Sequence, residues 1–277
     1  MKLAILIPVM NQFEITEQAL RFHLDNTTSD IYLLDNNSDE DLSLYLQAKS
    51  LLSERVIVIK NFDFGGPYNS LFTFLNLKLP KRYELIAYLH SDMFVYDAGW
   101  DERVLETFQK HSKLGVLGFI GSDEIDALGG RGLGTVSNFM GKQTGKWEGS
   151  PAEVHGKRIT DYRKAAVVDG CVMIFRKKIF NDVYERAYFP PHHFYDRLLC
   201  CEAIENGYEV GVLGVACDHI SGQTANQESK YHDQAREWLQ RHKVSWSLNP
   251  DHGIYQEAER QFLHEYRDMK KMIPFKV

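Results

Sequence analysis

Four short apolar runs occur in the first 90 residues, and each one ends in polar residues. The runs are Leu3–Ile7, Ile31–Leu34, Val56–Ile59 and Leu85–Leu89. The stretches that follow the first three have helical composition, at Glu14–Leu24, Glu40–Leu52 and about Tyr68–Leu77. Strands that alternate with helices predict an α/β fold with a parallel sheet and right-handed crossovers. We expect Pro8 to end the first strand.

Length and charge limit the classes of protein to consider. A chain of 277 residues with 44% hydrophobic residues can bury one large α/β core, and no obvious linker divides it into two equal domains. The formal net charge of −6 argues against a broad nucleic-acid-binding surface. Nucleic acid is therefore not an expected partner.

The cysteines and the N-terminal residues indicate the cellular compartment of the protein. Cys171, Cys200, Cys201 and Cys217 form no C-x-x-C pair, which favours reduced, packed thiols over a disulfide or zinc framework. The first apolar run is too short for a signal peptide, and no later run approaches membrane-spanning length. These features predict cytoplasmic residence.

The second part of the chain has a different composition. Residues 121–156 are rich in glycine and too long for an ordinary connection, and they do not match a dinucleotide-binding fingerprint. Because they lie between two candidate site elements, we expect them to act as a lid. The pattern further predicts strands at Ala166–Val168 and Val210–Val215, and a helix at Leu198–Glu205 that Asn206-Gly207 terminates.

Asp92 stands where the fourth apolar run gives way to polar residues. Ligands bind at the carboxyl ends of strands in an open α/β sheet, so this carboxylate is a candidate for metal or phosphate chemistry. An isolated Asp at a strand end is also a common turn former. Further motifs are needed to decide between these interpretations.

Several further motifs follow one another in order along the chain. They are Ile5–Asn11, Leu33–Ser38, Asn61–Asn69, His90-Ser91-Asp92, Val168–Met173, Phe194–Cys200 with Asn206–Tyr208, and Cys217–Gly222 with its histidine at 219. Their order, over roughly the first 220 residues, resembles the inverting family 2 glycosyltransferases of the GT-A fold.

The resemblance implies a Rossmann-like, mostly parallel sheet flanked by helices. It places a glycosyltransferase domain at residues 1–224, with a nucleotide-sugar-binding half at 1–120 and an acceptor and catalytic half at 121–224. Residues 225–277 are expected to form a helical C-terminal extension. Its basic end, at Lys270, Lys271 and Lys276, leaves peripheral contact with the inner face of a membrane open, although a solvated terminus is the simpler interpretation.

The resemblance also implies a divalent cation, Mn²⁺ or Mg²⁺, that stabilises the diphosphate leaving group. Asp92 and His219 are the expected ligands. The family usually has an Asp-x-Asp pair, whereas this chain has His90 at the first position, where it would contact the ribose or a metal-bound water. An isolated His219 would more simply pack near the sheet edge.

Donor binding is expected at the ends of the first four strands. By resemblance, Asp35 accepts a hydrogen bond from the nucleobase, although its turn-rich context also suits an Asx-turn or a helix cap. The remaining expected nucleotide-sugar contacts are Pro8, Val9, Asn11, Gly65, Gly66, Asn69, His90, Ser91 and Asp92.

Asp196 is the expected general base, because an inverting transfer needs one group that deprotonates the acceptor hydroxyl. Tyr195 and Leu198 depart from the family pattern, in which acidic residues are frequent at both positions, and Asp196 would also suit a helix cap. Asp169 and Gly170 are expected to contact the donor sugar or the acceptor.

The prediction is therefore a metal-dependent inverting glycosyltransferase. It would move a sugar from a nucleotide-diphosphate sugar to a glycan or a lipid-linked glycan, in polysaccharide biosynthesis. A sugar nucleotidyltransferase is an alternative, but it would usually have a glycine-rich, basic first loop. A non-catalytic nucleotide-sugar-binding or scaffolding protein is the other alternative, because the Asp-x-Asp pair is incomplete.

Overall fold

The structure is a computed structural model that describes residues 1–36, 38–60, 79–123, 135–137, 159–184 and 195–219. The strands are β1 Leu3–Val9, β2 Asp30–Asp35, β3 Val56–Lys60, β4 Leu85–Leu89, β5 Met93–Val95, β6 Leu114–Gly118, β7 Ile120–Ser122, β8 Thr135–Ser137, β9 Tyr162–Ala165, β10 Val167–Val168, β11 Val172–Arg176, β12 Glu209–Leu213 and β13 Cys217–His219. The helices are α1 Phe13–Asn26, α2 Glu40–Leu52, α3 Trp100–Lys110, α4 Lys177–Tyr184 and α5 Tyr195–Glu205.

Eight of these strands form one central sheet in the order β3-β2-β1-β4-β11-β6-β12-β9. The first four are parallel to one another, and β12 is parallel to β6. By contrast, β11 is antiparallel to both of its neighbours, and the edge strand β9 is antiparallel to β12. The predicted α/β fold with a mostly parallel sheet is confirmed.

Each face of the sheet carries its own apolar core, as β4 illustrates. Leu85, Ala87 and Leu89 pack in one cluster, and Ile86 and Tyr88 pack in the other. All five residues are fully buried. A strand covered on both faces needs apolar side chains at every position, which explains the unbroken apolar run in the sequence.

The first strand continues past Pro8, so the prediction that this proline ends it was wrong. In the register with β2, Pro8 lies opposite Leu34. The pairing of β1 with β4 ends earlier, at Leu6 opposite Tyr88. Pro8 therefore lies beyond the last rung with β4, where its missing N–H removes no ladder hydrogen bond.

The predicted end of the helix before Gly207 is confirmed. Gly207 has a φ of 79°, the left-handed conformation that glycine adopts without steric cost. Its N–H donates to the carbonyl of Ile204, and the N–H of Tyr208 donates to the carbonyl of Ala203. These two bonds define a Schellman motif at the end of α5. The helix itself begins three residues before the predicted start, at Tyr195.

Three predicted segments fall largely or wholly outside the described residues. Of the predicted lid, residues 121 and 122 belong to β7 and residues 135–137 form β8; β7 pairs with both β8 and β10 in a separate three-stranded sheet. The predicted helix at about Tyr68–Leu77 and the extension at 225–277 lie outside the described residues altogether. In the part of the chain that is described, no helix has the length and apolarity needed to cross a membrane.

All four cysteines are free and buried, as predicted. Burial raises the pKa of Cys200 to about 12 and that of Cys201 and Cys217 well above the ordinary thiol value. Because the thiolate is the reactive form, these thiols are chemically inert in the folded protein at neutral pH.

The buried His23 makes the stability of the fold depend on pH. Its side chain is fully buried in α1, with its ring centroid 6.4 Å from that of Trp100 at the start of α3. Burial lowers the pKa of His23 to about 4. Between about pH 6.5 and pH 4, His23 is therefore protonated in the unfolded chain but neutral in the folded protein. The free energy of unfolding consequently falls as the pH drops through this range.

We expect His23→Leu to reduce the acid-induced loss of stability between pH 7 and pH 4 by about 3 kcal/mol, the free energy that corresponds to the lowered pKa. Urea unfolding at both pH values measures this difference, and any constant packing effect of leucine cancels in it. Equal losses in the variant and the wild type would contradict the assignment.

Candidate functional site

The candidate site lies where the chain changes direction within the sheet. From β1 the chain runs outward through β2 and β3, and it then returns to β4 on the other side of β1. The carboxyl ends of these parallel strands share one edge, and ligands bind in the crevice at such a switch point. Asn11 follows β1 and His90-Ser91-Asp92 follows β4, so both motifs lie at this edge.

Two local structures bring Asp92 and His219 together. A turn follows β4, in which the N–H of Met93 donates to the carbonyl of His90 over 3.2 Å. The next strand, β5, pairs antiparallel with β13, and His219 lies opposite Met93. As a result, His219 Nε2 lies 3.2 Å from Asp92 Oδ1, and both side chains are buried.

His90 completes a cluster of three side chains that could hold a metal ion. Its Nδ1 lies 4.0 Å from Asp92 Oδ1, and one ligand atom from each of His90, Asp92 and His219 lies within 4.8 Å of the others. Two imidazoles and one carboxylate suit a divalent transition metal such as Mn²⁺. The donor set therefore fits the expected cofactor, and it includes a histidine that the sequence analysis assigned to the ribose or a metal-bound water.

The protonation states of this cluster suit metal binding. Burial alone would raise the pKa of the Asp92 carboxyl, but the adjacent His219 and His90 hold it below its ordinary value. Burial lowers the pKa of His90, and the proximity of His219 acts in the same direction. At neutral pH Asp92 is thus ionised and His90 is neutral, which are the forms that bind a cation.

The loop before β11 joins the cluster because β11 runs antiparallel beside β4. The N–H of His90 donates to the carbonyl of Cys171 over 3.0 Å, which holds this loop against the end of β4. Asp169 Oδ1 accepts the N–H of Cys171 at 2.9 Å, so this carboxylate closes a turn. Asp169 remains half-buried, whereas Gly170 is buried.

Both polar groups of the Gly170 backbone are bound by the first turn of α5. Its N–H donates to Asp196 Oδ2 over 3.0 Å, and its carbonyl accepts the Tyr195 hydroxyl at 2.8 Å. A Cβ on residue 170 would lie 2.0 Å from that hydroxyl oxygen. Glycine is required here because the tyrosine ring occupies the space of a side chain.

Asp196 is buried and forms an ion pair with its neighbour. Its Oδ2 lies 2.5 Å from Arg197 Nη1, and its Oδ1 accepts the N–H of Arg197 at 2.9 Å. Burial opposes the charge of Arg197, but the Asp196 carboxylate raises the pKa of the guanidinium above its ordinary value. With the Gly170 bond, described residues fill three of the roughly four acceptor positions of the carboxylate, and one position on Oδ1 has no partner among them.

The ends of β1 and β2 are joined by side-chain hydrogen bonds. Asn11, with a φ of 56°, donates its N–H to Ser38 Oγ over 3.2 Å and accepts the N–H of Asp39 at 2.9 Å. Asp35 is buried, and its two oxygens accept the Ser38 N–H and the Ser43 hydroxyl. Asp35 therefore forms the turn that its sequence context allowed, as well as lying at the predicted edge.

The remaining predicted contacts divide into two groups. Pro8 and Val9 form the end of β1, and Ser91 lies half-buried in the turn between His90 and Asp92. Gly65, Gly66 and Asn69 lie outside the described residues.

Sequence reasoning assigned no role to Tyr195 or Arg197. Both flank Asp196, and Tyr195 was noted only as a departure from the family pattern. The departure itself was the available signal, because the large aromatic residue beside Asp196 occupies the space that a side chain at Gly170 would need.

Comparisons with known proteins identify the family and the fold of this chain. The profile of a family described as "Glycosyltransferase like family" matches residues 77–266. No curated protein matches the chain.

Solved structures with the same fold include three glycosyltransferases. The mannosyltransferase PcManGT from Pyrobaculum calidifontis, in complex with GDP-Man and Mn²⁺, has a TM-score of 0.53 at 9% identity, over 99% of this chain and 72% of its own. Residues 1–349 of S. aureus TarS give 0.51 at 16% identity, with coverage of 99% and 81%. GalNAc-T7 with UDP, GalNAc and Mn²⁺ gives 0.55 at 12% identity, with coverage of 99% and 58%.

The fold, the switch-point site and the family match together define a glycosyltransferase of the GT-A fold. The chain belongs to the glycosyltransferase-like family whose profile it matches over residues 77–266. The suspected resemblance to GT-A glycosyltransferases is confirmed.

The packing of Tyr195 on Gly170 yields a prediction for stability. We expect Gly170→Ala to lower the free energy of unfolding by about 1–3 kcal/mol, because the added methyl group overlaps the tyrosine ring. Urea unfolding measures the change. In a Tyr195→Ala background the same substitution should cost almost nothing, and an equal cost in both backgrounds would contradict the steric explanation.

Proposed function

We propose that this glycosyltransferase is metal-dependent and inverting, and that it transfers a sugar from a nucleotide-diphosphate sugar to a glycan or a lipid-linked glycan. The observation that carries the proposal is the cluster of His90, Asp92 and His219 at the switch point of the sheet. A site for a divalent cation at this edge lies where a diphosphate would bind.

The three clustered side chains would hold Mn²⁺ or Mg²⁺. A bound cation supplies positive charge to the oxygens of the departing diphosphate. Asp92 brings the negative charge that attracts the cation, and the β5–β13 pairing fixes His219 beside it. The neighbours whose structures contain Mn²⁺ together with GDP-Man or with UDP and GalNAc support the choice of ion and donor class.

Asp196 is proposed as the general base. The N–H of Gly170 and the guanidinium of Arg197 hold its carboxylate in one orientation. The remaining acceptor position on Asp196 Oδ1 would take the proton from the acceptor hydroxyl, while the oxygen of that hydroxyl attacks the anomeric carbon. Attack from the face opposite the leaving group gives inversion. Asp169 and Gly170 would then border the donor sugar and the acceptor.

The nucleoside is proposed to bind at the ends of β1 and β2. Pro8, Val9 and Asn11 would shape the pocket with their backbone, and Asp35 would receive the base. Ser91, Gly65, Gly66 and Asn69 complete the proposed contacts. The hydrogen bonds between Asn11, Ser38 and Asp39 support this assignment, because they hold the loops after β1 and β2 together.

The family assignment favours glycosyl transfer over a sugar nucleotidyltransferase and over a non-catalytic scaffold. A role in polysaccharide biosynthesis, the domain boundary at residue 224, cytoplasmic residence and a membrane contact through the basic tail remain predictions from the sequence.

A measurement of metal binding tests whether the cluster of His90, Asp92 and His219 holds a cation. We expect the wild type to bind Mn²⁺ in the presence of UDP, GDP or dTDP, and Asp92→Asn to weaken that binding at least 10-fold, because the only carboxylate of the cluster loses its charge. Isothermal titration calorimetry measures the affinity.

The matched control is Asp218→Asn. Asp218 precedes His219 on β13 and bonds the Tyr96 hydroxyl at 2.6 Å, so this variant removes a nearby charge without removing a ligand. It should bind Mn²⁺ like the wild type. Equal weakening in both variants would show that charge, rather than coordination, determines the affinity.

If Asp196 is the general base, its substitution should affect turnover but not donor binding. Asp196→Asn should retain donor binding but lower kcat by about 10²–10⁴-fold, the contribution typical of a general base. Asp169→Asn should instead act mainly on KM, because that residue would border the bound sugars. Nucleoside diphosphate release measures both constants, and NMR of the product anomer tests inversion. A small change in kcat for Asp196→Asn, or retention of configuration, would reject the mechanism.

A further inference from the structure

The hydroxyl of Tyr195 connects the metal cluster to the loop before β11. It donates to the carbonyl oxygen of Gly170 over 2.8 Å, and it lies 3.2 Å from His90 Nε2. A tyrosine hydroxyl has an ordinary pKa of about 10, so it keeps its proton at neutral pH. A carbonyl oxygen can only accept, and the single hydroxyl proton is therefore directed at Gly170.

This direction determines the tautomer of His90. Because the hydroxyl proton points to Gly170, the hydroxyl oxygen acts as acceptor toward His90, and Nε2 must carry the imidazole proton. In a neutral imidazole the other nitrogen then has a free lone pair. That nitrogen, Nδ1, is the atom that faces Asp92 Oδ1 at 4.0 Å.

We propose that Tyr195 is a positioning residue that holds His90 in the Nε2–H tautomer and thereby presents Nδ1 to the cation. The inference rests on the metal site proposed above and assigns a role to a residue to which sequence reasoning assigned none. Partners of this kind orient a histidine ligand and typically change metal affinity by about 10–100-fold when they are removed.

The position of the tyrosine is itself well determined. Its ring is buried, with the centroid 6.2 Å from that of Tyr88 in an edge-to-face arrangement. The missing side chain of Gly170 leaves the space for its hydroxyl. The same turn of α5 carries Asp196, so one element positions both a metal ligand and the proposed base.

The first experiment reads the tautomer directly in metal-free protein. Long-range ¹H–¹⁵N NMR at pH 8 should show wild-type His90 protonated on Nε2. Tyr195→Phe removes the hydroxyl but keeps the ring, and it should shift His90 to a mixture of tautomers. Circular dichroism shows whether the variant is folded, and the wild-type spectrum alone remains decisive if it is not. A wild-type His90 protonated on Nδ1 would overturn the proposal.

The matched control is Tyr88→Phe. The Tyr88 ring also packs against His90, with centroids 5.9 Å apart, but its buried hydroxyl has no hydrogen-bond partner among the described residues. Loss of that hydroxyl should leave the His90 tautomer unchanged. Identical spectra for the two variants would also overturn the proposal.

The second experiment measures Mn²⁺ affinity by calorimetry with a saturating nucleoside diphosphate. We expect Tyr195→Phe to weaken binding by about 10–100-fold and Tyr88→Phe to leave it within about 2-fold of the wild type. An unchanged affinity in Tyr195→Phe would contradict the positioning role. Failure of the wild type to bind Mn²⁺ would reject the proposed metal site instead, while the tautomer measurement would still test the hydrogen bond.

Discussion

The contact between Asp92 and His219 is the interaction on which the rest of the site depends. The two residues are far apart in sequence, and they meet because β13 returns to pair with β5 immediately after the turn that carries Asp92. Burial of a carboxylate is costly unless positively charged or hydrogen-bonding groups compensate it. Beside His219 the pKa of Asp92 nevertheless lies below its ordinary value, so the buried carboxylate stays ionised and available to a cation.

A continuous series of contacts extends from this pair to the proposed base. His90 joins Asp92 to Tyr195, the Tyr195 hydroxyl joins His90 to Gly170, and the Gly170 N–H reaches Asp196. Each link is a hydrogen bond or a close polar contact between groups that are largely buried. The candidate metal site and the proposed base are therefore parts of one polar network, and we expect a change at Tyr195 or Gly170 to affect both.

The sequence predicted the elements of the fold more completely than the contacts within the site. The run at 85–89 is apolar at every position because both faces of β4 are covered, and this pattern is readable without a structure. Pro8 was misjudged because its effect depends on where the pairing with β4 ends, which only the tertiary register reveals. The nearness of His219 to Asp92 was expected from the order of family motifs. The roles proposed here for His90 and Tyr195 were not predicted, since they depend on hydrogen-bond directions across elements that are distant in the chain.

The central claim is that His90, Asp92 and His219 bind one divalent cation together. Anomalous diffraction at the manganese edge, from crystals grown with Mn²⁺ and a nucleoside diphosphate, tests it most directly. We expect a single anomalous peak within coordination distance of Asp92 Oδ1, His219 Nε2 and His90 Nδ1. An ordered nucleotide with no manganese at these three atoms, or with manganese bound elsewhere, would contradict it.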